Sequence, residues 1–171
     1  HDIGKITPGF QRKCKAWLKE NGLTSIAHNG CWDTGMESHH GKVSHSVIQA
    51  FLSDKGINRK TAQFVSTVLG GHHGRLGVPN PRGYQPQKGI SDQVGGIDWD
   101  AERMANAQLI WDQFGGCGTS LTMDRESPSL WWLAGLTTVA DWIGSNELFF
   151  PAERHEGENN IPDFAVKALE T

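Results

Sequence analysis

The first residues that could do chemistry are His1 and Asp2, which are adjacent in the opening stretch HDIGK. Neither a strand face nor a single helical turn requires both residues for packing. An imidazole and a carboxylate can, however, reach one metal ion together from a helix end, because each offers an electron pair to a divalent cation. The opening stretch therefore raises the question of whether these two side chains are metal ligands.

Two further histidine pairs lie where helices are predicted to begin or end. His39 and His40 precede the helical pattern GKVSHSVIQAFLSDKG, and His72 and His73 lie between the glycines of GGHHG. Adjacent histidines at a helix terminus point in different directions and can still converge on one centre. Because the arrangement occurs twice, it favours metal ligation over two unrelated surface pairs.

A carboxylate within an apolar segment is the third unusual feature. Asp141 lies in the middle of LAGLTTVADWIGS, which is apolar on nearly all sides and is therefore predicted to be a buried helix. A carboxylate in such a place costs free energy unless a positive charge or a metal offsets it. A capping or salt-bridging role is the alternative interpretation of Asp141.

The candidate ligands offer nitrogen and oxygen donors without a thiolate. They are His1, Asp2, one of His39 and His40, His72, His73 and Asp141. Such donors suit iron, manganese, nickel, cobalt or zinc, and they are typical of catalytic sites. Six ligands exceed what one ion usually takes from a protein, so the set favours two divalent ions, the usual apparatus of phosphoester hydrolysis. Arg75, close to the second histidine pair, is a candidate for binding substrate phosphate with two donors.

Helices separated by loops rich in glycine and proline are predicted to position these residues. The first helix lies in TPGFQRKCKAWLKENG, with Thr7 as N-cap, Pro8 in the first turn and an apolar stripe that includes Cys14. Further helices are predicted in GKVSHSVIQAFLSDKG, NRKTAQFVSTVLGG with Asn58 as cap, DWDAERMANAQLIWDQFGG, SPSLWWLAGLTTVADWIGSN with Ser127 as cap, and near PDFAVKALE. Alternating strand patterns are scarce, so the predicted fold is all-α, a single domain over residues 1–171 with long Gly/Pro-rich loops.

Composition excludes several classes of protein. A net charge of −3 argues against a generally basic nucleic-acid binder, and no apolar run reaches the length of a membrane span. The three cysteines are odd in number and widely spaced, which argues against a disulfide framework.

Four sequence blocks, HDIGK, HHG, GGHHGR and ADWIGS, together resemble the HD phosphohydrolase superfamily. More narrowly, they are similar to the HD nuclease domain of the CRISPR-associated helicase–nuclease of type I interference systems. The resemblance runs from residue 1 to about residue 151. It implies a prokaryotic, cytoplasmic, all-helical domain that cuts single-stranded DNA with metal ions. It also implies a helicase domain in the same or an associated chain, recruitment by a guide-RNA surveillance complex, and an N-terminally incomplete domain.

The resemblance assigns a role to each candidate residue. His1, Asp2 and Asp141 would hold the first metal together with a histidine upstream of His1, and Asp2 would bridge to the second metal. The other ligands of the second metal would be His40, His72 and His73. His40 is preferred to His39 because it precedes a helix with a small residue, Ser44, four positions on. Lys5 matches the lysine of the family motif, near the substrate phosphate, and Asp2, Lys5 and Asp141 are the implied catalytic residues.

Two other functions remain open from the sequence. An HD-type hydrolase of nucleotides or cyclic dinucleotides needs a closed pocket, whereas a single-strand nuclease needs an open groove with stacking aromatics. The loop over residues 74–97 contains Arg82 and Tyr84, which suit an open groove, but the loop could equally form a lid. The more distant alternative is an adaptor that keeps the HD fold without catalysis.

Overall fold

The computed structural model describes residues 1–22, 39–73, 93–94, 97–116 and 121–146. Arg75, Arg82, Tyr84 and the helix expected near PDFAVKALE lie outside these residues. In chain order the helices are a 3₁₀-helix Asp2–Lys5, α1 Pro8–Gln11, α2 Lys15–Glu20, α3 His40–Asp54, α4 Arg59–Gly70, α5 Trp99–Gln113 and α6 Pro128–Gly144. The short strands β1 Gln93–Val94 and β2 Ile97–Asp98 pair antiparallel, with Val94 opposite Ile97. The all-α prediction is confirmed.

The first predicted helix is interrupted, so its expected continuity is wrong. The chain leaves the helix after Gln11 and begins α2 at Lys15. The interruption changes the helical phase. Cys14, which was predicted to lie on the apolar stripe of this helix, is therefore exposed. It lets Phe10 pack its ring against the imidazole of His40, with centroids 5.2 Å apart, while Leu18 is buried separately.

The core forms where α3, α4 and α6 pack together. Its buried side chains are Phe51, Leu52, Ile57, Ala62, Val65, Val68, Leu130 and Ala134. On α3, Val43, Val47 and Phe51 are buried, whereas Ala50 is exposed. Three helices therefore supply an apolar base on which the polar residues of the site are arranged.

Helix boundaries with a strong local signal are where the sequence predicts them. The side chain of Asn58 accepts a hydrogen bond from the backbone N–H of Lys60 at 2.9 Å, which confirms it as the N-cap of α4. Asp98 caps α5 in the same way, accepting from Ala101 N–H at 3.0 Å. Gly56 follows α3 with φ of +80°, a conformation that favours glycine.

Helix α6 is buried on one side only, so the prediction of a fully buried helix is wrong for the described part of the chain. Leu130, Ala134 and Thr137 are buried, and α6 packs against α4. On the opposite side, Trp132 is 76% exposed and Trp142 is 68% exposed. Apolar composition on all sides of a helix therefore did not translate into burial on all sides. Among the described helices, none is both long and apolar enough to cross a bilayer.

Candidate metal centre

Close packing of α3 against α4 brings two of the histidines together. A Cβ atom added to Gly41 would lie 2.4 Å from the carbonyl oxygen of Gly70, and one added to Gly70 would lie 2.6 Å from that of Gly41. Only glycine allows the two backbones to approach this closely. Because His40 directly precedes Gly41 and His72 follows shortly after Gly70, their Nε2 atoms come within 3.2 Å of each other.

The 3₁₀-helix that carries Asp2 is seated on α3 by a second close approach. The backbone N–H of Gly4 donates to the hydroxyl of Ser44 at 2.9 Å. A Cβ atom on Gly4 would lie 2.0 Å from the carbonyl oxygen of His40. From the other side, the buried guanidinium of Arg103 on α5 donates to the carbonyl of Ile6 at 3.0 Å. These contacts fix the start of the chain against the His40 turn.

Helix α6 supplies the last acidic residue and also contacts the His72 turn. The hydroxyl of Thr138 lies 3.2 Å from the carbonyl oxygen of His72 and 3.0 Å from that of Ala134. One turn later, Asp141 Oδ1 lies 3.3 Å from Nε2 of His1. A single helix thus aligns an acidic ligand candidate and the backbone that holds a histidine.

All six predicted ligands meet in one place and form two groups that could hold a metal ion. The histidine group is His40, His72 and His73, and the mixed group is His1, Asp2, His72 and Asp141. Within each group the candidate ligand atoms lie within 4.8 Å of one another. The family resemblance implied His72 as a ligand of the second metal alone, whereas the geometry places His72 in both groups.

In the histidine group, ring nitrogens face one another. Nε2 of His40 lies 3.2 Å from Nε2 of His72 and 3.1 Å from Nε2 of His73. Nδ1 of His72 is 2.6 Å from the carbonyl oxygen of Leu69, which can only accept, so this nitrogen carries the proton. The Nε2 atom of neutral His72 therefore presents its lone pair to His40. Such an arrangement of nitrogens suits a cation between them.

Asp2 lies between the two groups. Its Oδ2 accepts a hydrogen bond from Lys5 Nζ at 2.7 Å and lies 3.4 Å from Nε2 of His1. Its Oδ1 is 3.4 Å from Nε2 of His40 and 3.8 Å from Nε2 of His72. Among the described residues, no hydrogen-bond donor reaches this buried Oδ1. One oxygen therefore contacts the Lys5 ammonium group and His1, and the other faces the histidines.

The pKa values reflect this division. Burial by itself would raise the pKa of Asp2, but hydrogen bonds from His1 and Lys5 hold this pKa well below its usual range. The hydrogen bond to Asp2 raises the pKa of His1, against burial and with further help from Asp141. Burial lowers the pKa of His40 to about 4 and also lowers that of His72. Near neutral pH, His40 and His72 are therefore neutral and keep a lone pair for a metal.

The donors fit divalent transition metals. Neutral imidazoles and a deprotonated carboxylate are what such ions require, and the unbonded Asp2 Oδ1 is an oxygen that a cation would satisfy. Hydrogen bonding of His72 Nδ1 to a carbonyl is also the support that metal-binding histidines usually have.

Lys5 lies at the edge of this centre, and its side chain is 39% exposed. Its ammonium group contacts Asp2 and is still accessible from solvent, so it can meet an anion that approaches the carboxylate. His39, the alternative to His40, occupies the N-cap position of α3 and belongs to neither ligand group.

Several residues that support the site were not found by sequence reasoning. Arg103 looks like a solvated residue of a surface helix, and Thr138 looks like part of an apolar helix. Neither has a local pattern that marks it, because each acts on a distant backbone carbonyl. The Nε2 atom of His45 on α3 is also buried, and it has no hydrogen-bond partner among the described residues.

An all-helical scaffold with a His–Asp pair and converging histidines defines the class of HD-type, metal-dependent hydrolases. The family described as "Cas3, HD domain" matches residues 1–150, and the chain belongs to this family. It is a family of metal-dependent nucleases or phosphohydrolases of CRISPR defence.

The chain is also similar to the CRISPR-associated nuclease/helicase Cas3 of Streptococcus thermophilus. The two are 29% identical over 169 residues, which cover 88% of this chain and 18% of the relative. The chain therefore spans less than a fifth of the length of this curated relative. No solved structure matches the chain significantly.

Proposed function

We propose that this chain is a nuclease domain that hydrolyses phosphodiester bonds of single-stranded DNA in CRISPR interference, using two divalent transition-metal ions. The observation that carries the proposal is the position of Asp2, whose carboxylate faces the histidine group with one oxygen and His1 with the other. A carboxylate placed in this way can bridge two ions. One site would take His1, Asp2 and Asp141, and the other Asp2, His40 and His73, with His72 between them.

The ions would activate a water molecule and offset the negative charge that develops on the phosphate oxygens. The protein's own residues have separate tasks. Asp2 and Asp141 supply the anionic ligands, and the low pKa of Asp2 keeps it ionised without a metal. Lys5 offers a cation beside Asp2 for the phosphate of the substrate. We propose the same role for Arg75, which follows His73 by two residues in the sequence.

The proposed setting follows from the relative. Because that protein is named a nuclease/helicase, we infer that this domain works with a helicase domain of the same or an associated chain. We further infer a guide-RNA surveillance complex as a partner and the prokaryotic cytoplasm as the location. We propose that residues 1–171 form part of one HD nuclease domain.

The test is a hydrolysis assay with metal-stripped protein. The chain is incubated with single-stranded DNA, duplex DNA and a cyclic dinucleotide, after adding iron, manganese, cobalt, nickel or zinc separately. We expect cleavage of single-stranded DNA, little of duplex DNA, and none after a chelator is added. An Asp2→Ala variant should be inactive, and an Asp54→Asn variant, altered at the exposed end of α3, should match the parent.

Each other outcome contradicts a defined part of the proposal. Cleavage that survives exhaustive chelation would exclude the metal mechanism. Turnover of the cyclic dinucleotide alone would keep the hydrolase class and exclude the DNA substrate. A metal-loaded chain with no turnover of any phosphoester would favour the adaptor.

A further inference from the structure

Helix α5 supplies none of the candidate metal ligands, yet it carries a deeply buried charge. Arg103 is 1% exposed, and its side chain is the largest of the fully buried ones among the described residues. A guanidinium stays protonated in proteins, so burying it costs free energy unless its N–H groups find acceptors. The acceptors that Arg103 has found therefore indicate what it does in this domain.

The guanidinium of Arg103 joins α5 to the start of the chain. Its Nη2 lies 3.2 Å from Oδ1 of Asp100 on the same helix, and the Asp100 side chain is 66% exposed. Its Nη1 donates to the carbonyl oxygen of Ile6, which lies 97 residues earlier, at 3.0 Å. The contact with Asp100 is local and largely solvated, so the contact with Ile6 is the one that ties two distant segments together.

Ile6 is the C-cap of the 3₁₀-helix Asp2–Lys5. Carbonyl groups at the end of a helix lack partners within that helix and need acceptance from elsewhere. Arg103 satisfies the carbonyl of Ile6, and Nε2 of Gln11 donates to the carbonyl of Lys5 at 2.8 Å. The C-terminal end of the 3₁₀-helix is therefore held by side chains from α5 and α1.

The other end of the 3₁₀-helix carries metal-ligand candidates. Asp2 is its first residue, and His1 is its N-cap. At a rise of about 2 Å per residue, Asp2 lies only about 8 Å from Ile6 along the helix. A shift or tilt at Ile6 therefore moves the imidazole of His1 and the carboxylate of Asp2 together. Metal sites tolerate deviations of only about 0.2 Å in ligand distance, so a small shift is enough to weaken one.

We propose that Arg103 is a positioning residue of the metal centre, because its hold on Ile6 sets where His1 and Asp2 lie. The inference rests on the proposed two-ion arrangement. Two of the four members of the mixed group belong to this segment, whereas no member of the histidine group does. Arg103 therefore acts mainly on the mixed site, although it contacts neither the ions nor the substrate.

The test uses the full 171-residue chain and measures zinc binding by calorimetric titration. Arg103→Met removes the guanidinium and keeps a long side chain. Arg59→Met is the matched control, because Arg59 is exposed at the start of α4. Each substitution is combined with His73→Ala, which leaves the mixed site as the tighter one, and with His1→Ala, which leaves the histidine site. Far-UV circular dichroism checks the fold, and urea denaturation gives the stability of the metal-free proteins.

We expect Arg103→Met to lower the zinc affinity of the mixed site by about 10- to 100-fold, as is typical of residues that support ligands. The histidine site should lose a clearly smaller factor, and Arg59→Met should change neither site. Asp100→Ala should also stay close to the parent, because the contact with Ile6 persists. A merely structural residue would change the stability of the metal-free protein and leave the zinc affinity of the folded protein unaltered.

Several results would overturn the inference. Folded Arg103→Met with unchanged affinity in the His73→Ala background would make Arg103 purely structural. Equal losses at both sites would indicate general loosening, and an equally severe Asp100→Ala would assign the effect to the ion pair.

A second variant keeps the test decisive if Arg103→Met does not fold. Gln11→Met removes the donor to the carbonyl of Lys5 and should weaken the same mixed site; an unchanged site would contradict the inference. A parent chain that binds no zinc would contradict the proposed function itself, and this inference with it.

Discussion

The carboxylate of Asp2 and the imidazole of His72 lie side by side, with Oδ1 3.8 Å from Nε2. The His72 side chain is fully buried, and both residues adjoin the histidine group and the mixed group. The pair therefore forms the common boundary of the two candidate metal sites. Substitutions at these two positions should affect both sites, whereas substitutions at His1 and His73 should each affect one.

Asp2→Asn should remove metal from both sites. The amide keeps the shape of the carboxylate but lacks the negative charge that both ions need. Elemental analysis after dialysis should find that the variant has lost most of the metal that the parent retains. Asp54→Asn is the control, because it removes an equally charged but exposed carboxylate at the end of α3. If Asp2→Asn kept the full metal content, Asp2 would not be a bridging ligand.

His1→Ala and His73→Ala should each weaken one metal site and spare the other. His1 belongs only to the mixed group and His73 only to the histidine group. Each loss should lower the affinity of its site by well over the roughly 10- to 100-fold typical of supporting residues. Metal titration by calorimetry should give one tight and one weakened step in either variant, and two weakened steps in His72→Ala. Two weakened steps in His73→Ala would contradict the grouping.

Thr138→Val should weaken metal binding by about tenfold through the backbone of His72. The substitution removes a hydroxyl that lies 3.2 Å from the His72 carbonyl, and it keeps the branched shape. Thr137→Val is the matched control, because that hydroxyl bonds only to Leu133 within the same helix among the described contacts. Each variant should lose about 1 kcal/mol of stability. Thr138→Ser should restore the affinity; a failure to do so would assign the effect to packing.

Gly41→Ala and Gly70→Ala should each destabilise the domain by about 1–3 kcal/mol and weaken metal binding. An added Cβ would lie 2.4 Å or 2.6 Å from a backbone oxygen that cannot move away alone, so α3 and α4 must separate. Gly144→Ala is the control, because nothing lies within 4 Å of its added Cβ. Urea denaturation measures the change in the free energy of unfolding. Unchanged stability in Gly41→Ala would show that the helix crossing is not tight.

His45 should make the metal-free domain less stable in acid. Burial lowers the pKa of His45, so the folded state keeps it neutral while the unfolded state takes up a proton near pH 6.5. Stability is therefore lost as the pH falls from about 6.5 toward the lowered folded pKa. The fall in Tm between pH 8 and pH 5.5 should be smaller in His45→Gln than in the parent. At pH 8 His45 is neutral in both the folded and the unfolded state, so the difference in Tm at this pH reports only the packing effect of the substitution. An equal fall in Tm in both proteins would contradict the prediction.

Features that depend on neighbouring residues were predictable from the sequence. Asn58 begins a helix because its side chain accepts from the N–H of Lys60, two residues away. Gly56 ends one because it adopts a positive φ. The family was also recognisable, because HDIGK, GGHHGR and ADWIGS keep their order and chemistry in the sequence itself.

Only the tertiary structure decided which of these residues meet and which faces are covered. His72 joins both ligand groups because two glycines let α3 and α4 approach closely, and no local spacing reveals that crossing. Trp132 and Leu130 are both apolar residues of α6, yet one is exposed and the other is buried against α4. Propensity and capping act over a few residues, whereas ligand geometry and burial depend on contacts between segments far apart in the chain.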